Sequence, residues 1–249
     1  MTTLALFDID GTILWTDGAG RRAIHTALRE VFGAIGPADY WFDGKTDRQI
    51  VRDLMRLEGH GDPHIDQRMD ALLARYAEAL QKELSDPSHP PTLLPGVTEL
   101  LGALEERGDV TLGLLTGNIA EGATAKLRAV GIDPARFTVC AYGSDEEHRP
   151  ALPAVALRRA RERLGIDVSP RSAVVIGDTP ADIDCGRHAG TRTIAVATGR
   201  YSAEELASHE ADAVFEDLED TEAVLRAIVG ESAPRHPRVA SARTPRTER

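Results

Sequence analysis

From about residue 95 to residue 230 the chain alternates short apolar, β-branched stretches with helical patterns, and few folds accept such an order. The stretches VTLGLLT (110–116), FTVCA (137–141), SAVVIG (172–177), TRTIAVA (191–197) and the shorter AVF (213–215) read as buried strands. Between and around them lie GVTELLGALEERG, AEGATAKLRAVG, LPAVALRRARERLG and the segment after DTPADID, whose apolar residues recur at helical spacing. Strand followed by helix, repeated, predicts βαβ units and a parallel sheet with helices on both faces. Continuously apolar strands fit burial on both sides. One further strand, LALFDI (4–9), stands alone near the start. The expected fold class is α/β, with a doubly wound (Rossmann-like) parallel sheet at its core. With 42% apolar residues in 249, the chain can bury a sizeable core.

Residues 16–90 break the alternation. They contain no good strand but carry three helical stripes. The first holds Ala23, Ile24, Ala27, Leu28, Val31 and Phe32, and the second Ile50, Val51, Leu54 and Met55. The third holds Ile65, Met69, Leu72, Leu73, Tyr76 and Leu80. The Pro-rich SDPSHPPTLLPG (85–96) leads back out. The expected organisation is an α/β core from 1–15 and 91–230, a helical insert at 16–90, and an unpacked tail at 231–249, rich in Pro, Arg and small polar residues.

A net charge of −11 argues against non-specific binding to nucleic acid or to an anionic membrane. No stretch of roughly 18 uncharged apolar residues is present to span a bilayer. No basic segment precedes the first apolar run, which Asp8 interrupts, so no signal peptide is expected. Cys140 and Cys185 match neither a disulfide framework nor a zinc pattern. A cytoplasmic protein, monomeric or homodimeric, is expected.

The chemistry collects where three predicted strands end. Asp8, Asp10, Gly11 and Thr12 follow the first, and Thr116, Gly117 and Asn118 follow VTLGLL. Asp178, Thr179, Asp182 and Asp184 follow SAVVIG. Open parallel sheets bind ligands at the carboxyl ends of their strands, so the three clusters converge on one site. Alone, each is weak, because an aspartate after a strand is often a helix N-cap. Asp8 and Asp10, two apart on a strand, would share a face, and like charges so placed call for a cation or phosphate partner. Carboxylates without His or Cys neighbours favour a hard ion such as Mg²⁺ over zinc. The Thr116 hydroxyl and the backbone N–H groups around Gly11 and Gly117 suit a phosphate. An ionised aspartate can attack phosphorus, and a second carboxylate can move the proton.

In this order and strand context the motifs DIDGT (8–12), LLTGN and GDTPADID resemble those of the haloacid dehalogenase-like hydrolases, their phosphoglycolate-phosphatase-like branch in particular. The resemblance spans residues 3–230. It implies Asp8 as nucleophile, Asp10 as general acid/base, and Thr116 with Gly117 and Asn118 around the phosphoryl group. It also implies Mg²⁺ held by Asp8, Asp178 and the backbone carbonyl of Asp10, with Asp182 ligating it or orienting its waters. The insert then resembles the helical cap of such enzymes. Asp10 favours phosphate-ester hydrolysis over dehalogenation, in which no acid is needed. Where the family carries a Lys this chain has Arg149-Pro150, and Arg149 is expected to take that role. Lys126, mid-helix in ATAKLRAVG, is expected to be solvated, as is Asp184. Lys45, at the tip of WFDGKTDRQ (41–49), is a candidate for an anionic substrate group; a solvated lysine is the plainer alternative. His25, His60, His64 and His89 show no ligand spacing.

The expected activity is Mg²⁺-dependent hydrolysis of a small phosphorylated metabolite through an aspartyl-phosphate. A phosphosugar mutase shares all these motifs and is the alternative; a non-catalytic phosphate-ligand binding protein is a more distant one.

Overall fold

The computed structural model describes residues 2–165 and 167–231; the tail at 231–249, all but its first residue, lies outside them. In chain order come β1 (Thr3–Phe7), β2 (Leu14–Trp15), α1 (Ala19–Phe32), α2 (Asp47–Leu57), α3 (Asp62–Leu84), β3 (Thr92–Leu93) and α4 (Val97–Glu105). They are followed by β4 (Val110–Thr116), α5 (Ala120–Ala129), β5 (Val139–Tyr142), α6 (Leu152–Leu164) and β6 (Ala173–Gly177). The last elements are α7 (Pro180–Ala189), β7 (Arg192–Val196), α8 (Ala203–Ser208), β8 (Ala213–Phe215) and α9 (Thr221–Val229).

Six strands form one parallel sheet in the order β5-β4-β1-β6-β7-β8. The alternating strands and helices therefore fold into a doubly wound α/β sheet. β1 is the switch point: β4 pairs with one of its edges and β6 with the other. Its side chains divide between the layers because successive residues of a strand face opposite ways. Ala5 and Phe7 pack with Leu100 and Leu104 of α4 and Val224 and Ile228 of α9. Leu4 and Leu6 pack on the other side with Val155, Ala156 and Ala160 of α6 and Cys185 of α7. Each fully buried Leu or Phe contributes roughly 2–3 kcal/mol of hydrophobic stabilisation, and β1 is locked centrally by both layers.

Two predicted strands differ by two residues at one end. LALFDI stops at Phe7, before the aspartate, and FTVCA becomes a strand only from Val139, because a 3₁₀ turn at Pro134–Arg136 runs into Phe137.

The segment after β1 forms three helices with a core of their own, in which Ala23, Ile24, Leu28, Leu54, Met69 and Leu72 meet; Ile119 of the α/β unit joins them. The insert leaves and rejoins the sheet through the two-residue antiparallel pair β2–β3, with Leu14 opposite Leu93 and Trp15 opposite Thr92. Leu94 N–H donates to the Ile13 carbonyl at 3.0 Å, so both chain crossings are tied together. Among the described residues no helix is long and apolar enough to cross a membrane.

Candidate active site

The chain turns sharply after β1. Asp8 N–H still bonds across to the Ile176 carbonyl at 2.9 Å, but Gly11 takes a φ of 81°, a backbone that side chains other than glycine's rarely adopt. A Cβ on Gly11 would also lie 2.2 Å from Asp178 Oδ2. The strand geometry that would aim Asp8 and Asp10 the same way is therefore lost, and the two carboxylates diverge. Each meets its own cation, Arg149 for Asp8 and Lys126 for Asp10.

Asp8 sits in a buried cluster with Asp178, Asp182 and Arg149. The η2 nitrogen of Arg149 lies 3.2 Å from Asp8 Oδ2 and bonds to Asp182 Oδ1. The guanidinium thus spans two carboxylates from different elements. Its Nε is buried with no partner among the described residues. Asp182 also holds the start of α7. Its Oδ2 accepts from Thr179 N at 3.1 Å and from Thr179 Oγ1 at 2.6 Å, closing a capping box there. Asp178 accepts a long 3.4 Å bond from Thr12 Oγ1 and is packed by Gly199, where a Cβ would fall 1.8 Å from its Oδ2. Burial raises the Asp8 carboxyl above the usual carboxylate range against the pull of Arg149, with Asp182 adding to the rise. Asp178 is pushed well above that range by burial and then by Asp182 and Asp8.

The Asp10 carboxylate lies on the other side of the loop. Lys126 Nζ donates to its Oδ1 at 2.8 Å and its Oδ2 at 2.6 Å, and also to Asn118 Oδ1 at 2.6 Å. Asn118 Nδ2 donates to Asp10 Oδ2 at 2.8 Å and to Thr116 Oγ1 at 2.8 Å. The expectation of a solvated Lys126 is overturned: the residue is 3% exposed. The face of α5 that carries it also buries Gly122, Ala123 and Leu127 and packs under the insert. Helical spacing signals a buried stripe there, but a lysine within it reads as solvated because lysines are seldom buried unless paired. Asp184 is exposed, as expected.

The insert roofs this site through one turn. A Cβ on Gly117 would come within 2.1 Å of the Lys45 carbonyl oxygen, so glycine there lets the two backbones touch. Asp47 N–H donates to the Gly117 carbonyl at 2.8 Å, and Thr46 Oγ1 donates to the Glu147 carbonyl at 2.6 Å. Asp47, in the first turn of α2, is buried and accepts from Ile119 N at 2.8 Å. Burial drives its carboxyl up to about 6 although Lys126 pulls the other way. Nothing in the sequence singles out Asp47 beyond the Thr-Asp pair at the start of a helical stripe. Beneath the roof lies a cavity of about 280 Å³, lined on its floor by Asp8, Asp10, Thr116, Lys126, Arg149 and Asp178 and overhead by Lys45 and Tyr76 among others. Lys45 reaches the cavity wall, with Nζ 2.6 Å from the Tyr40 hydroxyl and 3.8 Å from Asp53.

The floor fits a hard divalent cation. Carboxylate oxygens of Asp8, Asp178 and Asp182 lie within 4.8 Å of one another, with no sulfur or imidazole among them. Three buried acids face one guanidinium, and two of them, Asp8 and Asp178, are pushed upward by burial and then by the charge of Asp182. A divalent ion supplies what that cluster lacks. The Asp10 carboxylate is turned away to Lys126, so only its backbone carbonyl is left to join such a set.

The model of the haloacid dehalogenase-like hydrolase family matches residues 5–196. A phosphoglycolate phosphatase of Rhodospirillum rubrum is 29% identical over 228 residues, covering 88% of each chain. An N-acetylmuramic acid 6-phosphate phosphatase of Pseudomonas aeruginosa is 30% identical over 212 residues, 82% of this chain and 85% of that one. Among solved structures, CbbY from Rhodobacter sphaeroides in complex with phosphate superposes with a TM-score of 0.67 at 21% identity, covering 88% of this chain and 96% of that one. The match over most of its length and the named phosphatases among its relatives make the chain an enzyme that belongs to the haloacid dehalogenase-like hydrolases.

Proposed function

We propose that this enzyme is a Mg²⁺-dependent phosphomonoesterase acting on a small phosphorylated metabolite. The observation that carries the reading is the divergence of two aspartates from one loop, Asp8 to Arg149 and the acidic cluster, Asp10 to Lys126, both at the floor of one cavity. In this reading Asp8 is the nucleophile. One of its oxygens attacks phosphorus as the ester P–O bond breaks, giving an aspartyl-phosphate. Asp10 gives a proton to the departing alkoxide oxygen. It then takes one from the water that attacks the acyl phosphate, so that inorganic phosphate leaves and both acids return to their starting state.

Arg149 holds Asp8 and offers N–H groups to the phosphoryl oxygens. Thr116 accepts two hydrogen bonds from Asn118, which leaves its own O–H for a phosphoryl oxygen. Asp8, Asp178 and the Asp10 carbonyl would hold Mg²⁺, with Asp182 beside them anchoring Arg149; when bound, the ion neutralises negative charge on the phosphoryl group. Residues 16–90 act as a cap over the core of 1–15 and 91–230. The Lys45 turn excludes water and places an ammonium toward the leaving group. Relatives named for phosphoglycolate and for N-acetylmuramic acid 6-phosphate support a small phosphorylated acid or sugar as substrate.

A phosphate-release screen over phosphorylated metabolites, with and without Mg²⁺, tests this. The wild type should release phosphate only with the metal, and Asp8→Asn should lower the rate by at least about 10³-fold. Release unaffected by Asp8→Asn would sink the proposal, and isomer formation exceeding release would point to the mutase.

A further inference from the structure

We infer that Lys126 is a positioning residue for Asp10, a role that rests on the phosphomonoesterase reading above. All three N–H groups of its ammonium are engaged, two on Asp10 and one on Asn118. Both amide hydrogens of Asn118 are engaged as well, on Asp10 and Thr116. Asp10 belongs to no regular strand, so its side chain is not held by sheet geometry. Its orientation is set by this clamp, which grips both oxygens from the core side while the carboxylate still lines the cavity.

Chance burial does not explain a lysine here. Taking an ammonium out of water costs several kcal/mol unless it is paired and hydrogen-bonded. The same stripe of α5 is otherwise filled by small and apolar residues. An apolar side chain would avoid that cost, yet the position holds a group that binds both Asp10 oxygens and Asn118 together. The buried Asp47 of the insert acts on Lys126 from above, so the clamp lies under the roof as well as beside the reacting loop.

The clamp acts where Asp10 acts. When the P–O bond breaks, its electron pair goes to the leaving oxygen, which takes the proton of Asp10 while the Asp8–phosphorus bond forms. Lys126 neither gives nor takes a proton. An alkyl leaving group needs that proton, whereas p-nitrophenolate departs without it. Loosening Asp10 should therefore damage the two reactions unequally.

The test compares kcat/KM for p-nitrophenyl phosphate and for the alkyl phosphate that the wild type turns over fastest, in the Mg²⁺-loaded full chain. Lys126→Met should lose about 100-fold on the alkyl ester and less than about 5-fold on the aryl ester, the lower end of what a general acid contributes. Added to Asp10→Asn, Lys126→Met should cost little more, because both remove one function. Lys126→Gln, which keeps a polar head but only two N–H groups where the ammonium has three, should show the same selective loss at about 10-fold, and it decides the matter where Lys126→Met does not fold. Equal losses on both esters in a folded variant, or multiplying losses in the double variant, overturn the inference. A wild type inactive on both esters overturns the phosphomonoesterase reading, and this inference falls with it.

Discussion

Asp47 links the insert to the α/β core through a buried carboxyl, and removing its charge measures how firmly the two are joined. The side chain accepts from Ile119 N at 2.8 Å across the junction, and burial raises its pKa from the ordinary 3.8 to about 6. That rise corresponds to about 3 kcal/mol, at ~1.36 kcal/mol for each tenfold change in proton affinity. The folded value lies above the unfolded one, so the folded protein binds this proton more tightly. The stabilisation is complete below about pH 3.8 and is lost as pH rises through about 6. In Asp47→Asn the position no longer titrates. The difference in unfolding free energy, wild type minus variant, should therefore drop by about 2.5 kcal/mol between pH 4 and pH 8. Urea unfolding followed by far-ultraviolet circular dichroism, in metal-free buffer at fixed ionic strength, gives that difference. Subtraction cancels the raised acids shared by both proteins, Asp8 and Asp178. A difference that stays flat with pH would refute the reasoning, because Asp47 would then be titrating as a solvated acid with the insert unseated.

Two further substitutions probe the site from opposite sides. Arg149→Lys keeps a positive charge but shortens the side chain and replaces the planar guanidinium whose η2 nitrogen meets Asp8 and Asp182 together. It should lower kcat by about 10- to 100-fold, as expected for one charged hydrogen bond, with little change in melting temperature. Gly117→Ala places a methyl 2.1 Å from the Lys45 carbonyl, which backbone on both sides prevents from yielding freely. The roof should be displaced by an ångström or more, lowering kcat/KM by about 100-fold, while the circular dichroism of the folded protein stays that of the wild type.

The sheet was legible because burial on two faces leaves a plain mark. Strands such as VTLGLLT carry no charged residue, and their alternation with amphipathic helices points to a parallel order. Strand ends were less legible. Whether Asp8 prolongs β1 depends on Gly11 turning the chain and on Asp178 filling the space where a side chain would stand, and Asp178 lies far away in sequence. A two-residue pair like β2–β3 is too short to leave any periodic pattern, although it ties the two crossings between sheet and insert.

The site divides along the same line. Residues delivered by strand ends were visible, because Asp8, Thr116 and Asp178 each stand next to the run that positions them. Lys126 and Asp47, delivered by α5 and α2, were not, since a buried charge is recognisable only beside its partner. Asp182 reads in the sequence as a metal ligand or a group that orients the metal's waters, and the structure adds to it a capping box and Arg149. Lys126 reads as a solvated charge in mid-helix, and nothing in the sequence singles out Asp47. Folding brings them to the same cavity, where the lysine grips Asp10 and the aspartate closes the roof. The pairing also explains how Asp8 and Asp10 tolerate one short loop. Two like charges separated by a single residue repel unless each has its own counter-ion. Arg149 on one side and Lys126 on the other provide these and draw the carboxylates apart. Such a division suits a nucleophile and a proton carrier that must not exchange roles, and it requires the second cation that the motif alone does not contain.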